Sequence, residues 1–301
     1  MLHIAFSLGC SKCKERAVYH RRYSGQKFCG EHFLQYFENK VRKTIQKYKM
    51  VGRGEKIGAA LSGGKDSITT LSVLNALSKK LDLEICAIAV DEGIKGYRND
   101  TIKSARSFCA GQNIPLHIVS FKRRFGTTLD KIMRQGKNAC TYCGVLRRRV
   151  LSEKARELGM DKLATGHNLD DEVQAIMMNY IRGDVERLVR LKRSLLHEKF
   201  IPRIKPLSEM PEKEVALYAL LRDFSVSFAE CPYSHGTFRA GIRDFINELE
   251  KNNAGIKFSI LKGYQKLLPY LELKTAMHEC ELCGEPTSQK ICKTCLLVKF
   301  I

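Results

Sequence analysis

The sequence predicts a doubly wound α/β domain, a mostly parallel sheet covered by helices on both faces, with a small metal-binding module at each end. Three observations predict it. Short apolar segments alternate with helical ones between residues 56 and 181, glycine-bearing turns follow two of those segments, and cysteines at CxxC spacing gather at both ends of the chain. Apolar strands separated by helices are the mark of a parallel sheet buried on both sides. A chain of 301 residues has room for one such domain and for appended modules, since domains run to about 100 to 200 residues.

At the N-terminus, Cys10-x2-Cys13, fifteen intervening residues and Cys29-x2-His32 bring two ligand pairs together around a loop, the usual arrangement of structural zinc. This sets a zinc module at 1–35 and a linker helix at 36–54. The α/β domain, 55–235, follows as strand 56–61 and helix 66–81, strand 84–90 and helix 99–111, and strand 116–121 with a cysteine segment. A helix at 145–158, a strand at 162–165 and a helix at 170–181 continue it. Helices at 212–224, 239–250 and 258–271 come next, the last two forming an extension at 236–275. The C-terminal module, 276–301, pairs Cys280-x2-Cys283 with Cys292-x2-Cys295 across eight residues, a zinc ribbon with four thiolates. Cys86 and Cys109 lie on an apolar strand and a helix and read as ordinary buried residues.

Lys and Arg number 52 against 32 Asp and Glu, a net charge of +20 spread along the chain. Such an excess suits a polyanionic partner such as RNA or DNA, although a generally basic composition would also produce it. Twelve cysteines without a secretory leader indicate a reducing, cytoplasmic setting, where CxxC pairs hold metal or carry redox chemistry. Nor does any apolar run approach the roughly 18 residues of a membrane span.

Two turns carry chemistry. Ala60 and Leu61 end a strand, and Ser62-Gly63-Gly64-Lys65-Asp66-Ser67 opens a helix. Backbone amides and a helix N-terminus there can hold phosphate, with Lys65 and the hydroxyls of Ser62 and Ser67 assisting. The spacing is not GxxxxGK[ST], so kinase or GTPase chemistry is not indicated. It resembles the SGGxDS loop of the ATP pyrophosphatases, which implies cleavage between the α and β phosphates and adenylation of a carbonyl oxygen. The second turn, Thr165-Gly166-His167-Asn168-Leu169-Asp170-Asp171-Glu172, again runs from strand to helix. Asn168 suits an N-cap and the acids suit the helix dipole, while Asp171 is the candidate to face Mg²⁺ beside the phosphates. Asp91, ending a strand, is a weaker candidate because turn chemistry alone explains it.

Cys140-Thr141-Tyr142-Cys143-Gly144 precedes a basic helix bearing Arg147, Arg148 and Arg149, and Cys231 stands far along the chain. Three thiolates admit three readings: zinc completed by His235, a [4Fe-4S] cluster with one open iron, or thiols that form a persulfide and a disulfide. Spacing alone does not separate them.

Together, the N-terminal CxxC and CxxH, SGGKDS, CTYCG, GHNLDD, Glu230-Cys231-Pro232 and the C-terminal knuckle with Pro286-Thr287-Ser288 resemble the tRNA 2-thiouridine synthetase family. The resemblance implies a [4Fe-4S] cluster on Cys140, Cys143 and Cys231. It also implies ATP and Mg²⁺ around residues 60–67, Arg147, Gly166 and Asp171, with Asp66 and Asp171 among the catalytic groups. Sulfur would come from hydrosulfide or from the thiocarboxylate of a ubiquitin-like carrier protein, and a homodimer is expected. Arg147 stands where thymidine-loop enzymes tend to carry Lys, so the wobble uridine is the expected target. Thymidine-loop thiolation, 2-thiocytidine synthesis and a non-catalytic zinc-binding RNA protein are the alternatives. Loading both zinc ions and a cluster would lower the net charge to roughly +16, still suited to RNA.

Overall fold

The computed structural model of the protein describes residues 9–191, 199–227, 229, 231–233, 237–271 and 277–299. The chain enters through an antiparallel ribbon, β1 (Tyr19–Arg21) and β2 (Gln26–Phe28), and a long helix, α1 (Gly30–Lys47). Alternating units follow: β3 (Lys56–Ala60), α2 (Lys65–Leu81), β4 (Glu84–Asp91), α3 (Arg98–Gly111) and β5 (Leu116–Ser120). Short helices α4 (Phe121–Phe125) and α5 (Leu129–Arg134) lead to α6 (Ala139–Glu157), β6 (Lys162–Ala164), α7 (Leu169–Ile181), α8 (Val185–Arg190) and β7 (Arg203–Ile204). Helices α9 (Glu212–Leu221), α10 (Phe238–Asn252) and α11 (Ile256–Leu267) precede a terminal module of β8 (His278–Glu279), β9 (Pro286–Thr287) and α12 (Lys293–Val298).

The central sheet runs β5-β4-β3-β6-β7 with every neighbour parallel. β4 shows why both faces are covered. Ala87 joins a core with Leu71 and Leu74 of α2, whereas Cys86, Ile88 and Val90 join a second core with Leu146 and Val150 of α6. Successive residues on a strand point to opposite faces, so a run that is apolar throughout needs helices on both sides. Cys86 and Cys109 are 6% and 2% exposed, as expected of core residues. Burial pushes each thiol up to about 11.

The cysteine motif departs from the sequence reading. The predicted helix begins at 145, after CTYCG, but α6 begins at Ala139 and contains it. Cys, Thr, Tyr and Gly are weak helix formers, yet the Asn138 side chain accepts the Thr141 N–H at 2.9 Å, and Ala139, Tyr142, Cys143 and Leu146 are buried. The cap and the buried face outweigh propensity. Cys140 and Cys143 therefore stand on the first two turns of α6. β7, only two residues long, gave no periodic signal. α9 and α11 end earlier than predicted, at Leu221 and Leu267, the latter followed by a tighter turn that contains Pro269. α1 is continuous across residue 35 and buries Phe33, Phe37, Val41 and Ile45 along one stripe. A third core joins Leu169, Val173 and Ile176 of α7 to Ile242 and Ile246 of α10 and Leu261 and Tyr264 of α11. Among the described residues, no helix is long and apolar enough to cross a membrane.

Candidate active site

The loop between β3 and α2 is built around one close approach. Gly63 has φ +88°, and a Cβ there would lie 1.9 Å from the Thr101 carbonyl oxygen, so only glycine fits. Ser67 Oγ accepts the Ser62 N–H at 3.1 Å and lies 3.0 Å from Ser62 Oγ, closing the loop on itself. Upstream, Ala60 ends β3 and the Leu61 N–H donates to the Ile88 carbonyl at 2.9 Å. The Gly64 N–H and the first turn of α2 stand at the carboxyl edge of the parallel sheet, where such folds bind ligands.

The second turn packs directly on the first. A Cβ on Gly166 would lie 2.8 Å from the Ser67 nitrogen. Asn168 Nδ2 donates to Asp66 Oδ1 at 2.9 Å, while Asn168 Oδ1 accepts the Asp171 N–H at 3.1 Å and Asp171 Oδ2 accepts the Asn168 N–H at 3.2 Å. Asn168 is thus both the N-cap and the tie between the turns. Burial pushes the Asp171 carboxyl up to about 6, against the pull of the Asn168 amide and Arg239. Lys65 Nζ lies 2.8 Å from Glu212 Oε1 and 3.1 Å from Asp66 Oδ2. Burial works against its charge, but the Asp66 and Glu212 carboxylates outweigh it and raise its pKa. A cavity of about 220 Å³ opens here between Asp66, Asn168, Asp171, Glu212, Arg239 and Arg243. Asp91 does turn chemistry, its Oδ1 accepting the Gly93 N–H at 2.9 Å.

Of the central cysteines, Cys143 is buried, Cys140 is exposed and Cys231 lies between. Cys143 and Cys231 belong to the same face of the sheet, with Cys231 and Tyr233 packed against the core that contains Cys143. Cys140 Sγ lies 3.7 Å from the Tyr233 carbonyl, which places it beside the Cys231 segment. Arg147, expected among the ATP residues, stands between sulfur and acid: Nη2 is 2.8 Å from Cys143 Sγ and Nε is 3.0 Å from Glu92 Oε1. Glu230 and His235 lie outside the described residues. Three thiols, one of them receiving an arginine N–H, are a donor set that fits a [4Fe-4S] cluster with one iron free of protein ligands.

The terminal quartets converge. In each, Cys10, Cys13, Cys29 and His32 or Cys280, Cys283, Cys292 and Cys295, all four ligand atoms lie within 4.8 Å of one another. Cys13 Sγ to Cys29 Sγ is 3.7 Å and Cys283 Sγ to Cys292 Sγ is 3.6 Å. A tetrahedron with metal–sulfur bonds of about 2.3 Å has edges of about 3.8 Å, so both quartets have the dimensions of closed four-coordinate sites. The C-terminal module leans on α6, where Arg149 Nη1 and Arg156 Nη1 lie 3.3 Å and 3.2 Å from Glu285 Oε2.

The phosphate loop, the acidic turn and the cysteine helix thus share one sheet edge, and the chain is similar to known proteins over nearly its whole length. The PP-loop domain family matches residues 34–249, and the N-terminal LIM domain of the 2-thiouridine synthetase TtuA matches residues 10–34. The tRNA 2-thiolation protein NcsA of Haloferax volcanii is 36% identical, over 97% of this chain and 98% of that protein. The chain belongs to the PP-loop family of tRNA 2-thiolation proteins. The cytoplasmic tRNA 2-thiolation protein 1 of Aspergillus niger is 38% identical, over 96% of this chain and 87% of that one. A solved structure of the U34-tRNA thiolase NcsA from Methanococcus maripaludis with its [4Fe-4S] cluster is 42% identical, with a TM-score of 0.88 over 98% of this chain and 96% of that one.

Sequence reasoning missed Glu92, Arg98, Glu212 and Arg239. Glu212 and Arg239 lie in separate helices, α9 and α10, far along the chain from the loops they face. No short motif announces them. Only the packing of α10 on α7 brings Arg239 Nη1 to 3.5 Å from Asp171 Oδ1.

Proposed function

We propose that the protein is an ATP-dependent tRNA uridine 2-sulfurtransferase of the cytoplasm, acting on the wobble uridine. The observation that carries this reading is that the Ser62–Ser67 loop and the cysteine-bearing end of α6 meet at one sheet edge, joined through Arg147, Glu92 and Arg98. A site for activating a carbonyl oxygen with ATP then adjoins a site for sulfur.

In this mechanism the backbone amides of the loop, Lys65, Ser62 and Ser67 hold the phosphates, and Asp66 and Asp171 are the residues that would hold Mg²⁺, which would supply charge neutralisation at the phosphates. Fixed positive charge there stabilises the charge that develops on the phosphates. Uracil O2 attacks the α phosphorus, pyrophosphate leaves and the base loses its N3 proton. Hydrosulfide then adds at C2 and AMP departs with the former O2 oxygen, the sulfide proton replacing the one lost from N3. No redox change occurs. Cys140, Cys143 and Cys231 are the residues that would hold a [4Fe-4S] cluster, which supplies an open iron position for sulfide. The terminal quartets are structural zinc sites, and the chain's positive charge serves tRNA phosphate.

The test is anaerobic incubation of iron-reconstituted protein with unmodified tRNA, Mg-ATP and sulfide, followed by nuclease mapping and nucleoside mass spectrometry. 2-Thiouridine at the wobble position, with AMP and pyrophosphate, is the expected result. Lys65→Ala and Asp171→Ala should each abolish it. The assignment fails if either variant matches the wild-type rate, or if iron-loaded protein makes no thiouridine with either sulfide or a thiocarboxylated carrier.

A further inference from the structure

The geometry points to Glu92 as a positioning residue that, with Arg98, fixes the phosphate loop and the sulfur-bearing cysteine in register. Glu92 follows β4 and its side chain is 4% exposed, between two guanidinium groups. Its Oε1 is 3.0 Å from Arg147 Nε and its Oε2 is 2.9 Å from Arg98 Nε. The Arg98 Nε–H, however, aims at the Val90 carbonyl at 2.6 Å, so Oε2 has an ion pair but no directed hydrogen bond. The two arginines reach opposite halves of the site. Arg98 Nη1 donates to the Ser62 carbonyl at 2.9 Å and to Thr101 Oγ1 at 3.1 Å, and Thr101 supplies the carbonyl that presses on Gly63. Arg147 Nη2 donates to Cys143 Sγ at 2.8 Å.

A continuous path therefore runs from the loop carbonyl through Arg98, Glu92 and Arg147 to sulfur. Stability alone is a poor account of it, since buried ion networks are often no more stabilising than apolar packing of the same volume. Geometry is the better account. The proposed reaction has two halves, adenylation at the loop and sulfur delivery at the cysteines, and an adenylated base that is misplaced between them meets water instead of sulfide. Glu92 holds both halves from one carboxylate.

This inference rests on the proposed thiolation reaction, and its test separates the two. Wild-type protein is assayed for AMP released and 2-thiouridine formed, and Glu92→Gln is compared with it at matched iron content and melting temperature. Failure of the wild type to form thiouridine sinks the reaction, not the positioning role. With the wild type active, Glu92→Gln should release roughly tenfold more AMP per thiouridine, the scale expected for displacement of reacting groups by a fraction of an ångström. A lower fraction of folded enzyme would reduce both products equally and leave the ratio unmoved. Independently of tRNA and ATP, the reconstituted variant should show a shifted cluster reduction potential, because Glu92→Gln removes a buried negative charge beside the cysteines and loosens the hold on the Arg147 N–H that reaches the Cys143 sulfur. Should Glu92→Gln fail to fold, Arg98→Lys keeps the charge, loses the forked contacts and must raise the same ratio. A wild-type ratio in a folded variant overturns the proposal whatever the potential does.

Discussion

Glu214 on α9 is fully buried and takes three tyrosine hydroxyls: Tyr19 at 3.0 Å and Tyr23 at 3.2 Å on Oε1, and Tyr36 at 3.0 Å on Oε2. Tyr19 and Tyr23 come from the N-terminal metal module, so this carboxylate fastens that module to the α/β domain. Burial first, and the Glu214 charge second, raise the pKa of all three phenols and keep them as donors. Glu214→Leu strands three hydroxyls. Each hydrogen bond to a charged acceptor contributes about 1.5 to 3 kcal/mol, but leaving the hydroxyls unpaired is partly relieved because Tyr23 Oη also lies 3.0 Å from Tyr36 Oη and accepts from Lys40 at 3.1 Å. A loss of about 4 kcal/mol is expected, which at about 2 °C per kcal/mol for a chain of this size lowers the melting temperature by about 8 °C. Glu214→Gln, which retains one acceptor, should fall between. Thermal and urea unfolding of metal-loaded protein measure it, with limited proteolysis near residue 30 reporting release of the module. A Glu214→Leu protein within about 1 kcal/mol of wild type would refute the argument, because three buried hydroxyls that lose a charged acceptor, even with the Tyr23–Tyr36 contact kept, cannot be that cheap.

Other consequences follow from single contacts. Gly63→Ala must move the Thr101 backbone or the phosphate loop to escape a 1.9 Å overlap, so Mg-ATP affinity by calorimetry should fall at least tenfold, the lower end expected of ångström-scale misplacement at such a site. An unchanged dissociation constant would remove the loop from the phosphate site. Burial brings Lys40 down to about 8, although Glu214 and Glu209 favour its charge and Arg21 opposes it. Its folded pKa lies below its unfolded one, so its own contribution to stability should rise with pH above about 8, until the raised pKa values of Cys86 and Cys109 oppose it above about 9 and those of the tyrosines above about 10. Lys40→Met should flatten that rise in pH-dependent melts; a slope equal to wild type would assign it elsewhere. Chelation of the C-terminal quartet, or Cys292→Ser, should free α12 from α6 and expose Leu297, read as faster hydrogen exchange in both helices. Unchanged exchange after confirmed metal loss would show that the module folds without its ion.

Much of the site is local in sequence and was legible there. The SGGKDS turn lies between one strand and one helix, and its chemistry depends on residues within six positions of one another. Asn168 and Asp171 announce a capped helix by spacing alone, and the terminal quartets announce metal by paired ligands. The onset of α6 was not legible, because the weak propensity of CTYCG is overridden by a cap at Asn138 and by the burial of Tyr142 and Cys143 against β4 and its neighbours, which propensity does not record.

The sequence by itself determined the alternation of strands and helices, the phosphate loop, the cysteine pairs and the family, since periodicity and short motifs are properties of neighbouring residues. Only the tertiary structure decided which other distant residues meet: Arg239 against Asp171, and Glu92 between Arg98 and Arg147. Parallel strands require long crossovers, so residues that share the sheet edge are separated by tens of positions, and a buried ion pair leaves no periodic trace in either segment that supplies it.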